Sequence, residues 1–183
     1  LDLKLHPDYV NKGWIYFSFS GNTENDDEGA NTTIMRAQLK DNELVDKEVL
    51  YRATPNTKKG HHFGSRIEFD KDGYLFFSVG DRGNRDVNPQ SINRDGGKIY
   101  RLNDDGSIPS DNPFVTKAGA KAAVYSYGHR NPQGMAMHPK TGKIWQRGSH
   151  KKIALNNSDV ILSEIPPKNS AILRPNFRQR IIS

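Results

Sequence analysis

No cysteine occurs in the 183 residues. Disulfides and thiolate metal sites are thereby excluded, while the compartment stays undecided. No apolar run is long enough to cross a bilayer as a helix. No convincing amphipathic helical period is visible either. The chain starts without Met at Leu1-Asp-Leu-Lys-Leu-His-Pro, already alternating as a strand does. That start reads as a processed or truncated product, with no signal peptide in view. Glycine is missing from one region only. All 16 lie at or before Gly148, and beyond Ser149 the sole aromatic residue is Phe177.

Charge is just as unevenly placed. Residues 1–145 hold 20 Lys and Arg against 19 Asp and Glu, whereas residues 146–183 hold 7 against 2. The net charge of +6 therefore belongs mostly to the tail. Nucleic-acid binding calls for a basic face with aromatic residues interleaved, and the bulk of the chain offers neither. No nucleic-acid partner is expected, and the length suits one moderate core.

What is present is a recurring hairpin: an alternating apolar strand, a polar turn ending in Gly, then an aromatic strand. It runs over Leu3–Ser20, again over Ile67–Val79, and again over Met135–Trp145. His6, Asp70 and His138 hold equivalent places, 64 and 68 residues apart. Further strand pairs fall between the repeats, at Thr32–Leu39 with Glu48–Ala53 and at Lys98–Leu102 with Ala122–Tyr127. Four strands per repeat, stacked radially, predict an all-β propeller, with the sites on its long loops. The pattern covers roughly three blades, so the open ends should expose edges and invite self-association.

The motif richest in chemistry is Tyr125-Ser-Tyr-Gly-His-Arg-Asn-Pro-Gln-Gly134. An imidazole, a guanidinium and two amides stand between glycines that allow unusual backbone angles, so it is not expected to be an ordinary core strand. Arg130 beside Asn131, with Gln133 two residues on, suits a rigid, oxygen-rich anionic ligand. Upstream lie His61-His-Phe-Gly-Ser-Arg66, then Ser78-Val-Gly-Asp-Arg-Gly83, then Gly97-Lys-Ile-Tyr-Arg-Leu-Asn-Asp-Asp-Gly106.

In that order and spacing these motifs resemble the soluble glucose/sorbosone dehydrogenases, aldose sugar dehydrogenases that use pyrroloquinoline quinone (PQQ). The resemblance runs from about Leu3 to Trp145. It implies a six-bladed propeller, of which this chain is a part, and a periplasmic or extracellular location. It implies oxidation of an aldose at C1 to the lactone, with hydride passing to PQQ and electrons going on to an external acceptor. His62 then matches the base that takes the anomeric proton, for which imidazole is suited by its titration near neutrality. Asp81 would orient it. Arg130 would stabilise negative charge on the quinone oxygen, with Asn131 and Gln133 as further cofactor contacts. A solvated His61-His62 loop, a plain turn Asp81 and an Arg130 that merely bridges blades are the structural alternatives, and His61 is an alternative base.

Calcium is also implied by the resemblance, but the acidic Gly-Pro turn expected after Trp145 is absent. No metal-ligating residues are assigned: His6, His129, His138 and His150 lack ligand spacing, and Asp26-Asp-Glu28 reads as a solvated acidic turn. The motif order divides the chain into a partial propeller, 1–145, and a basic tail, 146–183, out of register with the family as after a frameshift or fusion. The rival function is a non-catalytic propeller module that binds carbohydrate or a protein through its loops.

Overall fold

The computed structural model describes residues 1–22, 29–149 and 162–164. Most of the basic tail and the Asp26-Asp-Glu28 turn lie outside the described residues. The first sheet is a meander of β1 (Asp2–Leu5), β2 (Trp14–Gly21), β3 (Asn31–Lys40) and β4 (Glu43–Arg52). The second repeats that order with β5 (Ile67–Phe69), β6 (Leu75–Val79), β7 (Lys98–Leu102) and β8 (Val124–Tyr127). The third has β9 (Asn131–Met137), β10 (Ile144–Ser149) and β11 (Leu162–Glu164), with β10 in the middle. All pairings are antiparallel. Helix among the described residues amounts to α1 (Tyr9–Lys12) inside the first hairpin and a 3-10 turn at Asn88–Gln90. This is the arc of blades that the repeats predict.

Each predicted hairpin forms, and the three equivalent residues do equivalent work. His6 Nδ1 accepts from the Asp8 N–H at 2.9 Å, Asp70 Oδ1 from the Asp72 N–H at 3.0 Å, and His138 Nδ1 from the Lys140 N–H at 3.3 Å. An unprotonated ring nitrogen thus stands in for the turn carboxylate.

Strands β6 and β7 are buried at every position, Leu-Phe-Phe-Ser-Val and Lys-Ile-Tyr-Arg-Leu. Alternation still operates, because it deals the side chains to two cores. Phe77, Val79, Tyr100 and Leu102 pack with Tyr16 and Ile34 of the first sheet, while Phe76 and Ile99 pack with Met135 and Ile144 of the third. A sheet covered on both faces loses the apolar-in, polar-out signature. Among the described residues the first sheet has cover on one face only. Its other face carries the cross-strand row Leu3, Phe17, Met35 and Val49, of which Leu3 is 56% and Val49 46% exposed.

Asp95 fastens the first sheet to the second. Its Oδ1 accepts from the Tyr51 hydroxyl at 2.7 Å and the Tyr100 hydroxyl at 2.8 Å; its Oδ2 accepts from the Thr54 N–H at 2.7 Å and Lys121 Nζ at 2.6 Å. Burial, reinforced by that carboxylate, pushes both phenols well above their usual range. Asp95→Ala would strand two hydroxyls and a cation, so it should lower the unfolding free energy by about 3–5 kcal/mol in a urea titration.

Lys98, also fully buried, donates from Nζ to the Asn88 carbonyl at 2.5 Å and the Gly96 carbonyl at 2.6 Å. Burial pulls its pKa down to about 8 against 10.5 in the free side chain, with Asp95 opposing. Between those values the unfolded chain holds more protons than the folded one, so stability must rise with pH there. Measured against Lys98→Met, the wild type should gain stability from about pH 8 to pH 10.5.

Candidate active site

Three loops meet at one end of the sheets: residues 59–66 before β5, 80–88 after β6, and 128–130 leading into β9. The first positions His62 by unusual backbone. His62 (φ 57°) and Ser65 (φ 70°) are non-glycine residues in the left-handed region, with Gly64 between them at φ 64°. Such angles cost about 1–3 kcal/mol each and persist only where neighbours impose them. Ser65 is held by its N–H to the Ser78 carbonyl at 2.8 Å and by Oγ contacts to Phe63 and Thr32.

The second loop brings Asp81 under His62. His62 Nδ1 lies 2.7 Å from Asp81 Oδ1, with the imidazole side chain 24% exposed and the carboxylate 1% exposed. A carboxylate can only accept, so Nδ1 carries the proton and Nε2 keeps the lone pair. The same Asp81 oxygen accepts from the Gly83 N–H at 2.9 Å, and Asn88 Nδ2 donates to the Asp81 carbonyl at 3.1 Å. Asp81 Oδ2 is buried and finds no partner among the described residues.

The third loop supplies Arg130. The Asp81 N–H donates to the Arg130 carbonyl at 2.6 Å, which locks the two loops together. Arg130 Nε is likewise buried without a partner among the described residues. Asn131 Oδ1 accepts from the Gly64 N–H at 3.1 Å, so its amide braces the His62 loop from beneath. His129 turns the other way: it is buried, with Nε2 2.9 Å from Ser126 Oγ.

Together they border an open cleft of about 220 Å³ lined by His61, His62, Asp81, Gly83, Asn84, Arg85, Asp86 and Arg130. The structure thus brings His62, Asp81 and Arg130 to one cavity, with Asn131 directly behind it. It does not bring Gln133 there: that residue is exposed on β9 and does not line the cleft.

The motif's second half also departs from expectation, since Asn131–Gly134 opens strand β9, with a break in the ladder at Gln133 where Gly134 pairs with Arg147 and Pro132 with Gly148. Its two glycines serve differently. Gly128 has φ 92°, whereas Gly134 lies where a Cβ would come within 3.0 Å of Arg147 Cβ across the ladder. Asn84, Arg85 and Asp86 line the cleft unforeseen; the sequence signal was their position within five residues of a glycine-flanked Asp at a strand end. Among the described residues no group of three His, Asp or Glu side chains could hold a metal ion.

Gly80 is demanded by space. A Cβ there would fall 2.1 Å from the His62 carbonyl oxygen and 2.6 Å from Asn131 Oδ1. Gly60 has nothing within 4 Å of such an atom. Gly80→Ala should therefore cost about 1–3 kcal/mol in chemical denaturation, and Gly60→Ala no more than about 0.5 kcal/mol.

Residues 1–157 match the family model for Glucose / Sorbosone dehydrogenase, past the Trp145 at which the motifs give out. Over 147 residues the chain is 40% identical to the aldose sugar dehydrogenase YliI of Escherichia coli, covering 79% of this chain and 39% of that protein. It superposes on the crystal structure of the soluble aldose sugar dehydrogenase from Escherichia coli in the apo-form with a TM-score of 0.81 at 34% identity, over 92% of this chain and 47% of that one. The PQQ-bound form of an aldose sugar dehydrogenase from Streptomyces coelicolor gives a TM-score of 0.71 at 28% identity, over 92% and 46%. An arc of antiparallel β-sheets that superposes in this way identifies the fold as a β-propeller of the sugar dehydrogenase type. The chain belongs to the glucose/sorbosone dehydrogenase family, and it spans under half the length of these relatives.

Proposed function

We propose that this chain carries the proton-abstracting side of an aldose dehydrogenase site, in which the C1 hydroxyl of an aldose is oxidised to the lactone with PQQ as electron acceptor. The observation that carries the reading is the 2.7 Å His62–Asp81 pair on the same cleft as Arg130. His62 Nε2 takes the proton of the anomeric hydroxyl. Asp81 keeps the imidazole in the tautomer that can do so and steadies the imidazolium that results. Its second oxygen is buried and left for a donor that the described residues do not supply, which suits a polyhydroxylated ligand. Arg130 sets a permanent positive charge where oxygen becomes negative.

The residues fit a quinone bearing carbonyls and carboxylates. A guanidinium with an unpartnered Nε faces the cleft, and Asn131 backs it. Arg130, with Asn131, would hold PQQ, and Gln133 could add only an outlying contact. When bound, PQQ supplies the two-electron acceptor for the C1 hydrogen. Among the described residues no group of three carboxylate or imidazole side chains offers calcium a site, and the proposed proton transfer does not depend on one. Electrons leave to an external acceptor, and the exposed face of the first sheet invites self-association.

The openness of the cleft favours one other reading, a non-catalytic propeller module that binds carbohydrate or a protein through its loops. Dye reduction by the purified chain with PQQ and an aldose separates the two. Turnover should appear and fall by about 10²–10⁴-fold in His62→Gln. No turnover, together with aldose binding that survives His62→Gln, would leave the binding module standing.

A further inference from the structure

Asp81 is followed at once by Arg82, which joins His62 and Ser65 as the third non-glycine residue of these loops in the left-handed region, at φ 53°. Its side chain is buried, with the residue only 2% exposed, and it does not line the cleft. One terminal nitrogen, Nη1, donates to the His61 carbonyl. The other, Nη2, donates to the Lys59 carbonyl at 2.8 Å and the Ala30 carbonyl at 3.2 Å. The guanidinium carbon lies 3.5 Å from the centroid of the Phe63 ring. Burial lowers its pKa to about 10, against the pull of Asp81, so its placement is maintained at a cost in solvation.

These contacts bracket one residue. The His61 carbonyl belongs to the peptide plane whose orientation sets φ of His62, and Phe63 is the next residue along. We infer that Arg82 is the positioning residue of the site, holding His62 in its left-handed conformation by gripping the peptide before it and the ring after it. Without that grip the 59–63 loop could relax toward ordinary angles and carry the imidazole off Asp81. The guanidinium is required because a planar fork can serve several carbonyls and stack on a ring at once. An ammonium cannot. The consequence for turnover rests on the dehydrogenase reading above; the consequence for His62 geometry does not.

The test is the ring Nδ1–H of His62 by nitrogen-edited NMR of the 183-residue chain, assigned by its loss in His62→Gln and compared with Asp81→Asn. Arg82→Lys keeps the charge; Arg82→Gly removes the side chain while relieving the left-handed backbone. In both, with the melt still cooperative, the resonance should shift toward its Asp81→Asn position and exchange faster with water. Added guanidinium ion should restore it in Arg82→Gly. Under dye assay kcat should fall about a hundredfold with KM little changed.

A wild-type resonance and exchange rate in folded Arg82→Lys would overturn the inference, and would do so even if the melting temperature dropped. If Arg82→Gly does not fold, Arg82→Lys alone decides. A resonance lost as expected in a chain whose wild type shows no turnover would uphold the positioning role and remove the dehydrogenase reading.

Discussion

The buried Asp95 carboxylate is the constraint on which the rest hangs. A propeller blade is held by its neighbours, and here the junction of the first two blades is polar at its centre. Four donors from β4, β7 and the approaches to β8 and to the cis Thr54–Pro55 bond converge on two oxygens. Around them Tyr51, Phe77 and Tyr100 pack ring to ring, Phe77 and Tyr100 at 4.7 Å and nearly parallel. A buried carboxylate adds little net stability over a well-packed apolar residue, but with every partner in place it permits one register and few others. From it the order passes outward. Asp95 and Lys98 close the loop that begins at Gly80, Lys98 grips the Asn88 carbonyl, and Asn88 holds the Asp81 carbonyl. His62 sits at the end of that chain of contacts.

Much of this was legible in the sequence, for a physical reason. Hairpins are local, and their turns need particular side chains at fixed offsets, so His6, Asp70 and His138 announced the period, and each accepts the same kind of turn bond. The pairing of β3 with β4 and of β7 with β8 could be read in the same way, as could the convergence of His62, Asp81 and Arg130. Asp95, Lys98 and Arg82 could not. Their roles are set by hydroxyls and loop carbonyls that only the folded chain brings together, and nothing in Arg94-Asp-Gly-Gly-Lys98 declares that its carboxylate and ammonium will be fully buried. Gln133 lies apart from the cleft for the opposite reason. Proximity to Arg130 in sequence suggested a shared array, but the ladder breaks at Gln133, which is skipped in the pairing of β9 with β10 and is exposed.

The double burial of β6 and β7 explains why polar residues such as Ser78, Lys98 and Arg101 are buried in the middle sheet along with the apolar ones, and it sets the first sheet in contrast. Lys4, Tyr16, Arg36 and Glu48 form a row facing the second sheet, where Tyr16 and Arg36 both donate to the Asp104 carbonyl. The row beside it, Leu3 to Val49, is apolar and faces out. In a repeat architecture such a face is what a neighbouring blade covers. Its chemistry is therefore that of an internal surface, whichever polypeptide completes it.

Where the site lies within the arc matters more than how much of the arc is present. His62, Asp81 and Arg130 come from loops at the two junctions of the second sheet, and both junctions are formed in this chain. Their geometry is fixed by Ser78, whose hydroxyl donates to the Pro132 carbonyl at 2.8 Å and accepts from the Arg66 N–H at 3.0 Å, rather than by closure of a complete ring. Basicity and charge placement are thus local properties. Affinity for a ligand as large as a tricyclic quinone is not, because it needs walls on more than one side and the cleft is open. On that division, the proposed proton chemistry belongs to these blades, and the grip on the far side of the ligand must come from surfaces that a complete propeller adds.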